Sequence, residues 1–239
     1  GAKPRDVVFA GPGKTEAELV QALKAGIYQF NVESEPELRL LSAVATEMGK
    51  VAPVSIRVNP DVDAGTHEKI TTGRKQNKFG IPIDRAMDVF DLGARLPGLT
   101  MLGVAIHIGS QIVDLAPFEE SFERALELID QLRAMGHDIQ RCNLGGGLGI
   151  PYADETPPTP AEYGRMIKRM TANRNLDLVL EPGRVLVGRA HARHQPSAGR
   201  EDGTVLARAL RDRREQGPRL SQDAPADRHV RATRDRQLR

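Results

Sequence analysis

The sequence predicts an α/β fold of the (β/α)8-barrel kind, on three observations. Six short apolar runs alternate with five stretches of helical periodicity, the βα repeat of a parallel sheet. The runs are apolar nearly throughout, as strands are when both sheet faces are covered. The distinctive polar residues come directly after strands: Asn59, His107, Ser110, Gly145-Gly146-Gly147, Glu181 and Arg184. A barrel gathers strand C-terminal ends into one site. A doubly wound open sheet also binds ligands at strand ends, but at a single switch-point crevice. Polar clusters after four strands suit the barrel better.

The elements follow in order. Residues 6–10 (DVVFA) read as a strand closed by Gly11-Pro12-Gly13. Thr15 caps a helix running to Gly26, with Glu18 at the capping-box spacing and Leu19, Ala22 and Leu23 on one face. Residues 28–32 form the second strand. Ser34 caps the next helix, with Pro36 in its first turn and Leu38, Leu41, Val44, Ala45 and Met48 at helical spacing. Residues 54–58 form the third strand, followed by a long polar loop over 61–80 and a helix over 83–96. Residues 100–108 are the fourth strand, ending in His107-Ile108-Gly109-Ser110. An amphipathic helix spans 117–135 and is closed by Gly136. Residues 141–144 lead into the glycines, 160–172 form a weaker helix, and 176–180 are a sixth strand ending in Glu181-Pro182-Gly183-Arg184.

Composition bounds the rest. The 239 residues suffice for one large domain or two small ones. Hydrophobic residues make up 39% and aromatic residues 4%, with no Trp, so the expected core is aliphatic. No apolar run approaches the ~20 residues of a membrane helix, and no signal peptide opens the chain. A single cysteine, Cys142, excludes an internal disulfide and fits a cytoplasmic location. The formal net charge of +2 hides an asymmetry: the stretch from residue 189 holds 13 Arg, no Lys and 7 acidic residues. It has no Ile, Phe, Tyr or Met, and cannot bury enough apolar surface to offset ordering entropy. Disorder is expected over 189–239, apart from a short helix around 205–214. Interleaved acids and the lack of aromatic residues argue against a nucleic-acid arm.

The strand ends carry a chemistry. Three glycines let backbone N–H groups approach a ligand and form an anion nest. Arg184 could grip a phosphate by a charge-assisted fork, and Ser110 could add a hydrogen bond. Glu181 could face a protonated ring nitrogen, and His107 could lie flat on a planar ring. Those are the parts that pyridoxal phosphate needs, because its pyridinium must stay protonated to act as an electron sink. Each residue also has a plainer reading. The glycines can be a tight turn, His107 a core histidine, Ser110 a helix cap, and Glu181 with Arg184 a surface pair. Spacing alone does not choose.

The body resembles diaminopimelate decarboxylase, of the fold type shared with alanine racemase and ornithine decarboxylase. The matching stretches are FNVESEPEL (30–38), RVNPDVDAGTHEKITTG (57–73), NKFGIP (77–82), HIGSQI (107–112), NLGGGLGIPY (143–152) and EPGR (181–184). The resemblance covers about residues 3–188, a pyridoxal-phosphate-binding domain over 1–188 followed by a non-family tail over 189–239. It implies a partial TIM-type barrel with about six of the eight βα units. It implies a cofactor site made of His107 on the ring, Ser110 near the phosphate, the amides of Gly145, Gly146 and Gly147, Glu181 at the pyridine nitrogen, and Gly183 with Arg184. Arg184 would also hold a substrate carboxylate. The implied reaction removes CO₂ from the D-centre of meso-diaminopimelate to give L-lysine, in a homodimer acting on a small amino acid.

Two departures matter. The family's Schiff-base lysine, on the first barrel strand, has no counterpart here, and Lys3 is not that residue. The β domain that supplies a cysteine proton donor is not found after residue 188, and Cys142, on a strand, reads as a structural thiol. Translation in a shifted frame of a GC-rich gene would give a tail of this composition. No catalytic residue is therefore assigned. This chain alone is expected to bind the cofactor weakly, without a covalent link, and to associate through open sheet edges. The alternative is a non-catalytic pseudoenzyme or binding subunit on the same scaffold.

Overall fold

The computed structural model describes residues 2–63, 79–152 and 154–193. Parallel strands β1 (Val8–Phe9), β2 (Gln29–Val32), β3 (Ala52–Asn59), β4 (Ile81–Pro82), β5 (Leu99–Ala105), β6 (Arg141–Asn143) and β7 (Asp177–Val179) alternate with helices. The helices are α1 (Glu16–Ala25), α2 (Glu35–Glu47), α3 (Ala86–Arg95), α4 (Ala116–Ala134), α5 (Pro160–Met170) and α6 (Gly183–Arg193). Much of the 61–80 loop, and the segment expected to be helical around 205–214, lie outside the described residues.

Helix starts follow local chemistry. Thr15 and Thr159 each accept the N–H of a glutamate three residues on, Glu18 or Glu162, whose carboxylate reaches back to close a capping box. Those bonds from the threonine N–H and hydroxyl lower the pKa of both carboxyls. Ser34 caps α2 the same way, without the return bond. Gly26 ends α1 in the left-handed region at φ 67°.

The sheet order is β1-β2-β3-β5-β6-β7, with β4 off this path on β3. The order follows the chain, and right-handed crossovers then put the helices on one face. The other face is not apolar, which corrects the expectation of strands covered alike on both sides. In register across the outer face run Val32, Ile56, Val104, Cys142 and Leu178. One residue earlier on each strand, the inner face reads Asn31, Ser55, Gly103, Arg141 and Asp177. This alternation is the strand period of two with opposite chemistry on its two sides. The sheet curls toward the polar side. Tyr28, just before β2, meets the start of β6 and β7: Arg141 donates to its carbonyl at 2.8 Å and lies 3.8 Å from its ring centroid, and its hydroxyl donates to Asp177 at 3.4 Å. The result is a half-barrel.

The core lies between sheet and helices. Phe30, Phe90, Phe118 and Phe122 are all nearly inaccessible, so aromatic residues carry more of it than their low abundance suggests. Phe118 packs edge-on against Tyr163 with centroids 4.9 Å apart, joining α4 to α5. Cys142 is buried on the outer face, which pushes its thiol up to about 12.

The polar face is organised by buried charge. Lys14, 7% exposed, donates to Gly11 O at 2.6 Å, Asn31 O at 2.8 Å and Glu37 at 2.7 Å, so its three ammonium protons are all used. Burial raises the pKa of Glu37, and Lys14 opposes that shift. Glu33 accepts from Gly11 N–H at 2.9 Å and from Arg57 Nη1 at 2.7 and 2.8 Å, tying the loop after β1 to β3. Removing one member of such a pair strands the other. Lys14→Met should therefore cost about 3–5 kcal/mol in urea unfolding, with most of the loss recovered in Lys14→Met/Glu37→Met.

Candidate functional site

The C-terminal ends of β3, β5, β6 and β7 meet at the mouth of the half-barrel. The turn after β6 has Gly145 at φ 67° and Gly147 at φ 104°, conformations that suit glycine. Its three glycines are also needed for close packing. A Cβ would lie 2.3 Å from Ile106 O at Gly145, 2.2 Å from Glu181 O at Gly146 and 2.4 Å from Gly109 O at Gly147. The turn is thus wedged between the ends of β5 and β7.

Its amides have different uses. Gly145 N–H donates to Asn143 Oδ1 at 2.9 Å, and Gly146 N–H to His107 Nδ1 at 3.3 Å. Among the described residues Gly147 N–H has no partner. Of the three amides expected to cradle an anion, this leaves Gly147 free to do so.

Glu181 does not pair with Arg184. Its Oε1 accepts from Asn143 Nδ2 at 2.7 Å, and its own N–H donates to Gly145 O at 2.7 Å. Arg184 lies in the first turn of α6, a helix the sequence reading did not include, and donates to Gln111 Oε1 at 3.1 Å. Gln111, at φ 58°, bridges to both the N–H and C=O of Ile150, and the Tyr152 ring lies 5.8 Å from the Arg184 guanidinium. Ser110 is exposed at the bend after β5 and, among the described residues, caps no helix; Asp114 accepts the first N–H of α4. Gly183 opens α6, where a Cβ would meet nothing within 4 Å.

His107 is exposed at the mouth, not a core histidine. Partial desolvation, then the nearby Arg57 charge, hold its imidazole below the ordinary value of 6.5, against weaker opposite pulls from Glu181 and Glu33. A neutral ring is what the Gly146 bond requires, because Nδ1 must accept.

Sequence reasoning missed Asn143, Gln111, Glu33, Arg57 and Lys14. Asn143 and Gln111 lie inside the stretches quoted above, but nothing local shows what they reach. Lys14 is the lysine in the loop after β1, and its ammonium is saturated by protein acceptors. A cleft of about 630 Å³ opens at the opposite end of the strands, near Arg133, His137 and Asp177. The Arg133 guanidinium there is occupied by the carbonyls of Ile139, Arg174 and Asn175, so that cleft reads as structural. Among the described residues, no helix is long and apolar enough to cross a membrane.

Residues 1–188 match the family described as pyridoxal-dependent decarboxylase, pyridoxal binding domain. The chain belongs to this family. Among its curated relatives, diaminopimelate decarboxylase of Vibrio cholerae is 51% identical over 191 residues, covering 80% of this chain and 46% of the relative. The Pseudomonas aeruginosa protein of the same name is 50% identical over 190 residues, with the same shares. The chain thus spans about half the length of the curated relatives it matches. Diaminopimelate decarboxylase of Helicobacter pylori complexed with L-lysine superposes with TM-score 0.71 at 38% identity, over 76% of this chain and 46% of that one. The M. jannaschii enzyme in co-complex with L-lysine gives TM-score 0.69 at 38% identity, over 77% and 44%. These matches support the partial α/β barrel read from the sequence.

Two outcomes are expected. Gly146→Ala would push a methyl into the Glu181 carbonyl and should destabilise the fold by about 1–3 kcal/mol through overpacking, whereas Gly183→Ala should leave thermal stability unchanged or higher. For His107 the folded pKa lies below the unfolded one, so between them the unfolded chain binds more protons. Its contribution to stability is complete above pH 6.5 and declines as pH falls from there toward the folded midpoint. An imidazole NMR titration should place that midpoint below 6.5.

Proposed function

We propose that this half-barrel holds pyridoxal phosphate and forms the cofactor-binding part of a diaminopimelate decarboxylase, releasing CO₂ from the D-centre of meso-diaminopimelate to leave L-lysine. The observation that carries the reading is the strand-end cluster itself. One carboxylate, Glu181, is tied through Asn143 to a glycine turn whose next amide holds His107. The residues present fit the cofactor. Gly147 N–H and the remaining donors of Arg184 offer a phosphate both a backbone amide and a guanidinium. The N-terminus of α6, beside Arg184, adds the favourable end of a helix dipole. Ser110, exposed at the rim, can add a hydroxyl, whereas Gly183 N–H already donates to Glu181 O at 2.8 Å and contributes only through its place at the helix end.

Pyridoxal phosphate supplies an electron sink for the pair left when CO₂ departs. Glu181, with Oε1 held by Asn143, has its other oxygen available for the ring nitrogen and would favour a proton there, as an opposite charge does. His107, neutral, would cover a ring face without adding a positive charge to oppose the protonated nitrogen. Arg184 also suits a substrate carboxylate. The names of the relatives supply the substrate, and a homodimer is the assembly we assign to the whole protein.

Titration with pyridoxal phosphate, followed by absorbance, tests the cofactor reading. Binding should be saturable and displaced by inorganic phosphate. Arg184→Ala should weaken it about tenfold or more, the loss of one charge-assisted bond. Binding that ignores both phosphate and the Arg184 change would refute the assignment. For the reaction, a full-length protein containing this segment should release CO₂ from meso-diaminopimelate but not from the L,L isomer.

A further inference from the structure

We propose that Asn143 is a positioning residue that holds the Glu181 carboxylate and the glycine turn as one unit, so that a single fixed oxygen of Glu181 faces the ring nitrogen of the cofactor. The proposal rests on the pyridoxal-phosphate reading above. Asn143 is the last residue of β6, fully buried, in inner-face register with Arg57, Ala105 and Val179. Its amide is used at both ends: Nδ2 donates to Glu181 Oε1 at 2.7 Å, and Oδ1 accepts from Gly145 N–H at 2.9 Å. The circuit closes through the backbone, where Glu181 N–H donates to Gly145 O at 2.7 Å.

The partners fix the amide's orientation. A flipped Asn143 would set its NH₂ against the Gly145 N–H and its carbonyl against a carboxylate oxygen, two like-with-like contacts. Glu181 is otherwise an exposed side chain with nothing to choose among its rotamers. The bond from Asn143 removes that freedom and leaves Oε2 without a protein partner among the described residues. The neighbouring amide, Gly146 N–H, fixes His107 in the same way. Two successive amides of the turn therefore orient the two groups assigned to the cofactor ring, and the third remains for an anion.

The substitution that separates the two halves of this role is Asn143→Ser. A serine hydroxyl can still accept an N–H two residues on, as Gly145 requires, but is too short to reach Glu181. The full chain is loaded with ring-labelled [¹⁵N]pyridoxal phosphate, and the nitrogen's NMR shift is followed against pH. In the wild type the ring nitrogen should be protonated at neutral pH. Asn143→Ser should lower its protonation midpoint by about one unit while displacement by inorganic phosphate stays within about threefold, because the turn is kept. In a Glu181→Gln background the serine change should shift the midpoint no further, since the two residues act through one bond. Asn143→Ala, lacking both bonds, should lower the midpoint and weaken phosphate affinity; if it fails to fold, the serine variant carries the test. A midpoint unchanged in Asn143→Ser overturns the positioning role and leaves the cofactor reading intact. A wild-type chain that binds no pyridoxal phosphate, or holds it with an unprotonated nitrogen, overturns both.

Discussion

The constraint on which this structure depends is that its parallel strands are laid down in chain order. With right-handed crossovers, that order sends the helices to one face and the strand C-terminal ends to one rim. The convex face becomes a conventional apolar core against α1 to α5. The concave face is free to be polar, and is: Asn31, Ser55 and Arg141 sit where an open α/β sheet would carry Val or Ile. Buried polar groups must find partners or cost free energy. Here they largely do, through Gln29 to Asn31, Arg57 to Glu33, and Lys14 to two carbonyls and Glu37. The charged network below the rim thus follows from the winding of the sheet.

At the rim, the same economy governs the glycine turn. Removing three Cβ atoms lets the turn enter between β5 and β7, and that proximity turns its amides into short struts to Asn143 and His107. A glycine run is usually read as room for a ligand. Here most of the room is filled by protein carbonyls, and of the three amides that of Gly147 is left without a protein partner among the described residues. Tight packing and binding are not competing explanations of this turn, since the first aims the residues to which the proposed function gives the second.

Much of the fold was legible in the sequence because it is local. Thr15 with Glu18, Ser34 before Pro36, and Gly136 after an amphipathic run announce helix ends within a few residues. The six main strands stand out as short runs between such signals, although their inner-face positions are polar. β4 was not legible: two residues, one of them proline, carry no period. α6 is not legible because it opens on Gly183, a poor helix former with no capping signal before it. In the site, His107, Glu181 and Arg184 stood out as polar residues after strands. Asn143 and Glu33 did not, because their meaning lies in partners 38 and 24 residues away. Likewise, three adjacent glycines announce close approach but do not say to which carbonyl.

The contact of Tyr28 with Arg141 and Asp177 bears on how such a barrel can come together. Three strands lie between β2 and β7 in the sheet, yet their starting ends touch, so curvature is imposed at the bottom before any ring of strands is complete. A cation stacked on an aromatic face, with one bond to its carbonyl, acts as a hinge pin that sets the arc. Radius is thereby a property of the segment and not of closure. Further strands would meet a template already bent to size, with a polar interior to line and backbone hydrogen bonds as the main reward for joining.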